Sequence, residues 1–600
     1  MTASAENAAP ADAIRKTAIV GWAIITVGFH VWLIFSGLIP NLVSRPLHLL
    51  LALPWIFFIG ARGSTLSRGF GYVMGALGIG GCLYIIFDRD RLLDQYGTLE
   101  GWFQFAVAIV LIAVVLDMAR RAIKPVLPSV ALLALAYGLF GNLIPGEYGY
   151  DGLPLDSFLG TLVIAEGGLW GELTSTSATV VAPFLILGAV IAAGDAGEGF
   201  MAIAKRVAGR YRAGSAKVEV VASALYGMIS GSASANVAST GTFTIPTMIR
   251  LGYPRKFAAA VEAVASTGGQ ITPPIMGAGA FLMAEMLRVT YADVMIAAAI
   301  PAALFFIITW IGCHFFAYVY DLKGLPRSEL PSWPHVARTA PFFLLPFGIL
   351  VGMLAFTSYT PQYGAIVAVA VAAFLLVIDH MGRVDLRRWG ERLARAAIDA
   401  SKQMAMIAAV IVCAGIIVGV LQMTGLGVKM TSAILTISGG QLWLALILTA
   451  LACIVLGMEV PTTAAYIICV SVAGPALTEL GLDPLLAHFF IFWYALLSAI
   501  TPPVCGAVYI AAGIAQTPWL PVAGTAMRLG IGLFAVPPAF IANPALLQPA
   551  LSVPLALLAG IKVAVGIALI SYAVIGTGGR IWPRPIAFIL GLGLLFFFRL

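Results

Sequence analysis

Two stretches of this chain interrupt membrane-length apolar sequence with the same residues at the same spacing. Gly227-Met228 recurs as Gly457-Met458, Pro246 as Pro475, Leu251-Gly252 as Leu480-Gly481, and Pro254 as Pro484. Thr272-Pro273-Pro274 followed by Gly277-Ala278 recurs as Thr501-Pro502-Pro503 followed by Gly506-Ala507. All these matches hold an offset of 229 or 230 residues. The repeated residues are helix breakers, because proline has no backbone N–H and clashes with the preceding turn. A chain with such breaks inside apolar runs must surround them with protein or line a water-filled cavity with them, since lipid cannot satisfy open backbone.

Composition identifies the solvent. With 600 residues, 61% hydrophobic, 10% charged and a mean hydropathy of +0.99, the chain is a membrane protein rather than a soluble one. Apolar runs long enough to cross about 30 Å of hydrocarbon repeat along it. The net charge of +7 lies mostly in short loops between those runs, a positive-inside distribution that argues against nucleic acid. Cys82, Cys313, Cys413, Cys453, Cys469 and Cys505 fall in apolar stretches without metal-like spacing and read as small core residues. His30, His48, His314, His335, His380 and His488 form no metal spacing either, and packing or interfacial roles are expected.

Residues 1–16 read as a short polar cytoplasmic tail, and 17–38 as a retained membrane helix rather than a signal peptide. Further crossings are expected at 47–60, 70–87, 101–118, 126–143 and 177–194. Basic clusters at Arg15-Lys16, Arg62 with Arg68, and Arg120-Arg121 with Lys124 face acidic or mixed loops around 88–100 and 147–156, which puts the N-terminus in the cytoplasm. The stretch 218–249 has basic residues on both sides and a small polar middle, Ser230 to Asn236, and is expected to enter and return as a re-entrant hairpin. Residues 257–287 break at Ser266–Pro274 into two half-helices. Crossings at 294–320, 340–358 and 361–380 follow, then an amphipathic surface helix at 385–403.

The second copy comprises 403–423, a hairpin at 441–478 with its tip at 457–463, a helix at 485–514 broken at 498–503, and a crossing at 518–542. Its hairpin edge carries Glu479 and Asp483 where the first carries Arg250, Arg255 and Lys256, so the copies are expected to be inverted. Two more crossings, 551–576 and 580–600, flank Arg580 and Arg584. The expected fold is an all-α polytopic inverted-repeat membrane protein with two re-entrant hairpins, two discontinuous helices and about 15 crossings. The expected regions are a four-helix portion at 1–125, a larger region at 126–545 with repeats at 177–320 and 403–542, and extra helices at 546–600.

Paired Gly/Pro-interrupted segments in corresponding halves point to the binding site of a secondary transporter. Half-helix N-termini suit anions, and half-helix C-termini with free carbonyls suit hard cations such as Na⁺. Side-chain oxygens for a first site are available from Ser230, Ser232, Ser234, Asn236, Ser266, Thr267 and Gln270. For a second they come from Thr462, Thr463, Ser498 and Thr501, with Glu459 nearby. The plain alternative for each Ser or Thr is a bond back to its own helix. Intramembrane carboxylates are costly unless paired or functional. Glu262 could be a proton site, an indirect cation partner or an acid hydrogen-bonded to scaffold, whereas Glu285 reads as a solvated end residue. Gly425–Lys429 is not a phosphate loop, because Val428 stands where glycine must precede the lysine. No catalytic constellation is visible, so an enzyme is not expected.

The runs Gly227–Pro246, Ala265–Pro274 and Gly457–Tyr466 resemble the large membrane subunit of TRAP transporters, specifically the fused permeases of the TAXI branch, in which the small subunit is joined to the large one. The resemblance implies an elevator mechanism in the bacterial or archaeal inner membrane, a periplasmic TAXI-type substrate-binding protein, and uptake of a small organic anion, usually a carboxylate. It also implies a coupling cation, Na⁺, at two sites. Carried over here, one is Ser230, Ser232, Asn236, Gly268, Gly269 and Pro273, and the other is Gly457, Thr462, Thr463, Thr501 and Pro502. Ser234, Gln270, Thr272 and Ser498 would meet the substrate. Glu459 departs from the small residue expected beside Met458, which leaves H⁺ open as the coupling ion, with Glu262 and Glu459 as its candidates. Alternatives are an elevator carrier that needs no binding protein, and a passive pore, against which the doubled broken helices argue.

Overall fold

The computed structural model describes residues 8–458, 460–577 and 582–597, with side-chain burial from residue 14. Glu459 and Arg580 lie outside the described residues. Among the described residues the chain is helical, with one isolated β-bridge between Ile378 and Val384. Among the described residues nine helices are long and apolar enough to cross a membrane, or up to eleven when two bent pairs are counted as single spans. Helices satisfy their own backbone, which hydrocarbon requires. Their apolar residues also face outward: Ile24, Ile25, Trp32 and Phe35 are exposed on the first helix, Leu132 and Leu133 on the fifth span.

The described chain folds into two compact units, one of Met1–Gly194 with Phe356–Met430, the other of Asp195–Ala355 with Thr431–Leu600. In the first unit the central element is one helix, Leu386–Thr424, of 39 residues. This corrects the expectation of a separate surface helix at 385–403. No proline and, after Gly390, no glycine until Gly415 interrupts its strong helix formers, so the amphipathic start runs straight into the apolar span. Asp385 caps it by accepting from the Arg387 and Arg388 amides at 3.0 and 3.1 Å. Its apolar window is 78% buried, against 22% for Ile14–Phe35. Helices Ala8–Phe35, Asn41–Pro54, Gly101–Ala122, Val126–Phe140 and Ala182–Ala193 all pack on it.

Several ends differ from expectation. Helix is described from Ala8, well before the expected start at 17, and Ala8, Ala9 and Ala11 favour it. The second runs Asn41–Pro54 and continues as a π-helical turn, Trp55–Ile59, after Pro54 withdraws its N–H. The span expected at 177–194 starts at Glu172, and a short helix, Leu155–Val163, precedes it. Arg45, 2% exposed, ties the second helix to this segment through Glu166 (3.2 Å), Glu172 (3.3 Å) and the Trp170 carbonyl.

The second unit holds the hairpin and the broken helix of both copies. Hairpin Gly214–Ser230/Ala233–Arg250 matches hairpin Leu442–Gly457/Thr462–Glu479. Half-helix Arg255–Gly268 matches Pro484–Leu497, the 3₁₀ turns Gly269–Ile271 and Ser498–Ile500 correspond, and Ala278–Leu287 matches Gly506–Ala515. Gly252 and Gly481, at φ +85° and +88°, turn each hairpin into its broken helix, a conformation that favours glycine. The copies interlock. Arg255–Gly268 packs on Gly506–Ala515, and Ala278–Leu287 packs on Thr462–Glu479. The crossing expected at 518–542 bends by 53° between Trp519–Leu529 and Ile531–Ala542, and Pro341–Phe356 bends by 49° from the segment before it. The final expected crossing is a described helix of 14 residues, Pro583–Phe596.

Candidate functional site

Each hairpin tip rests on the break of its own copy's discontinuous helix. In the first copy Gly227, three residues before the end of the entering arm, lies against the backbone of Gly269, so that a Cβ on either would overlap the other. In the second copy its counterpart Gly457 is the last residue of the entering arm, and a Cβ there would meet the Ser498 hydroxyl and the Ala495 carbonyl. Only glycine permits this approach, which is why the repeated Gly-Met pair matters. The exposed ends of the half-helices follow. Carbonyls at the ends of Arg255–Gly268 and Pro484–Leu497, and amides at the starts of Ala278–Leu287 and Gly506–Ala515, face breaks where no continuous helix satisfies them.

Asn236 is the most informative residue of the first tip. It is fully buried, and its Nδ2 donates to the Ser223 and Ser266 carbonyls at 3.2 and 3.4 Å. Its Oδ1 is buried with no hydrogen-bond partner among the described residues. A bare acceptor held rigidly at a helix break is what a hard cation needs. Ser232 caps the returning arm, its hydroxyl accepting from the Ala235 amide at 3.4 Å, and Ser230 donates to the Ser232 carbonyl at 3.4 Å. Gly268 ends the half-helix against Phe305, and Pro273 lies in the unwound segment. Tyr291 holds that segment, donating to the Pro274 and Ile275 carbonyls at 2.9 and 2.6 Å.

Several candidate hydroxyls are bonded within their own helix. Thr267 donates to Ala263 O (2.8 Å), Thr272 to Gly268 O (2.8 Å), Thr501 to Leu497 O (2.8 Å) and Ser498 to Ala495 O (2.6 Å). Thr462 opens the returning arm of the second hairpin, Thr463 beside it is buried, and Pro502 lies in the second break. Ser234, half-buried at the first tip, lies beside Gly506, which opens the second half-helix of the other copy. Gln270 is buried, and its carbonyl accepts from the Gly277 amide at 2.8 Å. Glu285 is exposed.

Glu262 sits in a polar pocket that sequence reading only partly anticipated. Ser266, one turn on, donates to its Oε1 at 3.1 Å, Thr240 reaches the same oxygen at 2.5 Å, and Thr244 reaches Oε2. The missed members are Thr240, Thr244 and Glu219, all buried. Asn236, Thr240 and Thr244 recur at i, i+4 and i+8 on one face of the returning arm, a pattern that could have flagged them. Glu219 stands two residues from Lys217, near the start of the entering arm.

Comparison with known proteins agrees with this architecture. Residues 109–555 match the family described as tripartite ATP-independent periplasmic transporter, DctM component. The C4-dicarboxylate TRAP transporter large permease protein DctM of Pseudomonas aeruginosa is 27% identical over 335 residues, covering 56% of this chain and 77% of the relative. The sialic acid TRAP transporter large permease protein SiaM of Vibrio cholerae is 23% identical over 355 residues, covering 59% and 81%. The isethionate TRAP transporter permease protein DctMQ of Oleidesulfovibrio alaskensis is 24% identical over 346 residues, covering 56% and 51%. These relatives are transporters, as the lack of a catalytic constellation led us to expect. With its multiple membrane-length helices, its doubled hairpin-on-break site and a family match over more than half its length, this chain belongs to the large-permease (DctM) family of TRAP transporters.

Proposed function

We propose that this chain is a fused TAXI-type TRAP permease that takes up a small organic anion, a carboxylate by preference, together with a cation. A periplasmic binding protein delivers the anion, and the N-terminus is cytoplasmic. The observation that carries the reading is the pair of hairpin tips seated on helix breaks, with the unpartnered Asn236 Oδ1 at one of them. Asn236 Oδ1 and the carbonyl end at Gly268 would hold a Na⁺ ion, and Gly457 with the Leu497 end would frame the second cation site. Ser234 and Gln270 lie by the half-helix N-termini and would meet the anion. Fusion is supported by residues 1–108, which precede the family match and supply helices packed in the same unit as Leu386–Thr424. An elevator movement is supported by the grouping of both hairpins and both broken helices in one compact unit.

The test is uptake by the full chain in liposomes with its cognate binding protein, under Na⁺ and H⁺ gradients imposed separately. Accumulation should require the binding protein and one of the two gradients. Accumulation with neither gradient, or equal uptake without the binding protein, would sink the reading.

A further inference from the structure

Glu219 and Glu262 are both completely buried, on two helices that pack against each other. They come from different elements, the entering arm of the first hairpin and the first half-helix. A hydroxyl chain joins them: Ser223 donates to Glu219 Oε1, Ser223 Oγ lies 3.2 Å from Ser266 Oγ, and Ser266 donates to Glu262 Oε1. Glu219 Oε2 has no hydrogen-bond partner among the described residues. Two buried carboxyls joined through two hydroxyls disfavour ionisation of both at once, which suits the pair to share a proton. Such a pair titrates as a unit rather than as two residues.

The surrounding hydroxyls suit both states of that proton. Thr240 has a second acceptor in the Asn236 carbonyl at 2.9 Å, and Thr244 has one in the Thr240 carbonyl at 3.1 Å. Each hydroxyl can donate to Glu262 when it is ionised, and turn to the backbone while accepting from Glu262 when it is protonated. The same two threonines line a cavity of about 460 Å³ with Val218, Ala222 and Tyr226, and Lys205 and Glu198 also line it. A water in this cavity can pass a proton to a threonine oxygen as that hydroxyl passes its own proton to Glu262. No net atom is gained or lost at the threonine.

Neighbouring ionisable groups are engaged elsewhere. Lys217 lies over the Trp310 ring and 3.4 Å from His314 Nδ1, Glu198 bonds His335 at 3.2 Å, and Arg206 lies over Trp333. Arg255 donates to the Ala515 carbonyl, Arg528 lies over Phe316, Tyr509 bonds the Pro503 carbonyl, and His488 pairs with Tyr466. Cys313 is a buried thiol on Tyr291–Val319, a helix that packs on the entering arm. The fold does not need the carboxyls, since the second copy builds the same hairpin and break with Thr449 and Ile491 at the positions of Glu219 and Glu262.

We propose that Glu219 and Glu262 form a single proton-exchange site, opened to water through the cavity behind Thr240 and Thr244. As the coupling element it rests on the transporter reading above, but proton binding is measurable without transport. In pH-difference infrared spectra of the purified full chain, a protonated-carboxyl band should titrate, and E219Q and E262Q should each remove it while E285Q keeps it. A band unchanged in both Gln variants, or no titrating band in the parent, overturns the proposal. If the Gln variants do not fold, the T240V/T244V double variant decides. Loss of two donors to the ionised form should move the midpoint up by about one pH unit, tenfold in proton affinity, and an unmoved midpoint overturns the site. A titrating band in a chain that accumulates no substrate under any gradient would leave the site standing and sink the transport reading.

Discussion

In the first copy, Ser223, Thr240, Thr244, Glu262 and Ser266 gather around one buried pocket. At the matching positions of the second stand Cys453, Cys469, Ala473, Ile491 and Ala495. The backbones correspond closely, with half-helices of 14 residues at Arg255–Gly268 and Pro484–Leu497 and equivalent 3₁₀ turns after them. What fills them differs. The second half-helix buries Phe489, Phe490, Phe492 and Trp493, and Trp493 donates to the Leu533 carbonyl at 2.9 Å. A duplicated backbone thus carries one copy with a pocket of hydroxyls and carboxyls and one whose matching pocket is apolar and aromatic, while both keep a tip seated on a break. Glycines and prolines fix the shape of both, and side chains at the non-repeated positions divide the work.

The harshest way to break the comparison is to move the polar chemistry to the wrong copy. Ile491→Glu places a carboxyl where Cys453, Cys469, Ala473 and Ala495 replace the hydroxyls and carboxyl-binding groups of the first copy, leaving the Thr449 hydroxyl alone of the matching positions to meet it. It should destabilise the protein by about 2.5–3.5 kcal/mol, read as a lower thermal midpoint in detergent. A variant as stable as the parent would show that the second pocket accepts charge and that the asymmetry is superficial.

The two tip glycines come next. Gly227→Ala drives a methyl into the Gly269 backbone, whereas Gly457→Ala meets a serine side chain and one carbonyl. Overpacking of this kind costs about 1–3 kcal/mol, and Gly227→Ala should be the worse of the two in both stability and uptake. Adding Ser498→Gly should recover part of the Gly457→Ala loss, since it gives the second break the glycine that the first has at Gly269. Equal losses without rescue would mean that the tips do not seat as described.

Asn236→Ala should weaken the cation dependence of uptake by about tenfold, near 1.4 kcal/mol. Its counterpart substitution Ala465→Ser should change it little. The smallest effect is expected from Ser498→Ala, whose hydroxyl is bonded back to Ala495. The substrate concentration for half-maximal uptake should change by less than about twofold. A larger change would mean that the hydroxyl leaves its helix to meet the substrate.

Much of this was legible before any coordinates. Hairpins expected at 218–249 and 441–478 are found at Gly214–Arg250 and Leu442–Glu479, and both breaks fall at the repeated Thr-Pro-Pro. These signals are local and covalent, since a proline ends a helix whatever surrounds it. Ends without such punctuation were less legible. The run from Leu386 to Thr424 has no breaker to separate a surface helix from a span, and Leu155–Val163 is too short to stand out.

The sequence by itself determined the solvent, the helical class, the repeat and the residues at which helices must break, because hydropathy and missing backbone donors act at the residue where they occur. Tertiary structure decided what those breaks contain. Glu219 and Glu262 are 43 residues apart, Ser234 and Gly506 lie in different copies, and Gly227 meets Gly269 only after the hairpin closes. Whether a hydroxyl is a free ligand or bonded to its own helix depends on which neighbours packing brings within about 3 Å. Asn236 and Ser498 have similar claims in the sequence, but packing leaves one with a bare buried oxygen and the other satisfied by its own helix.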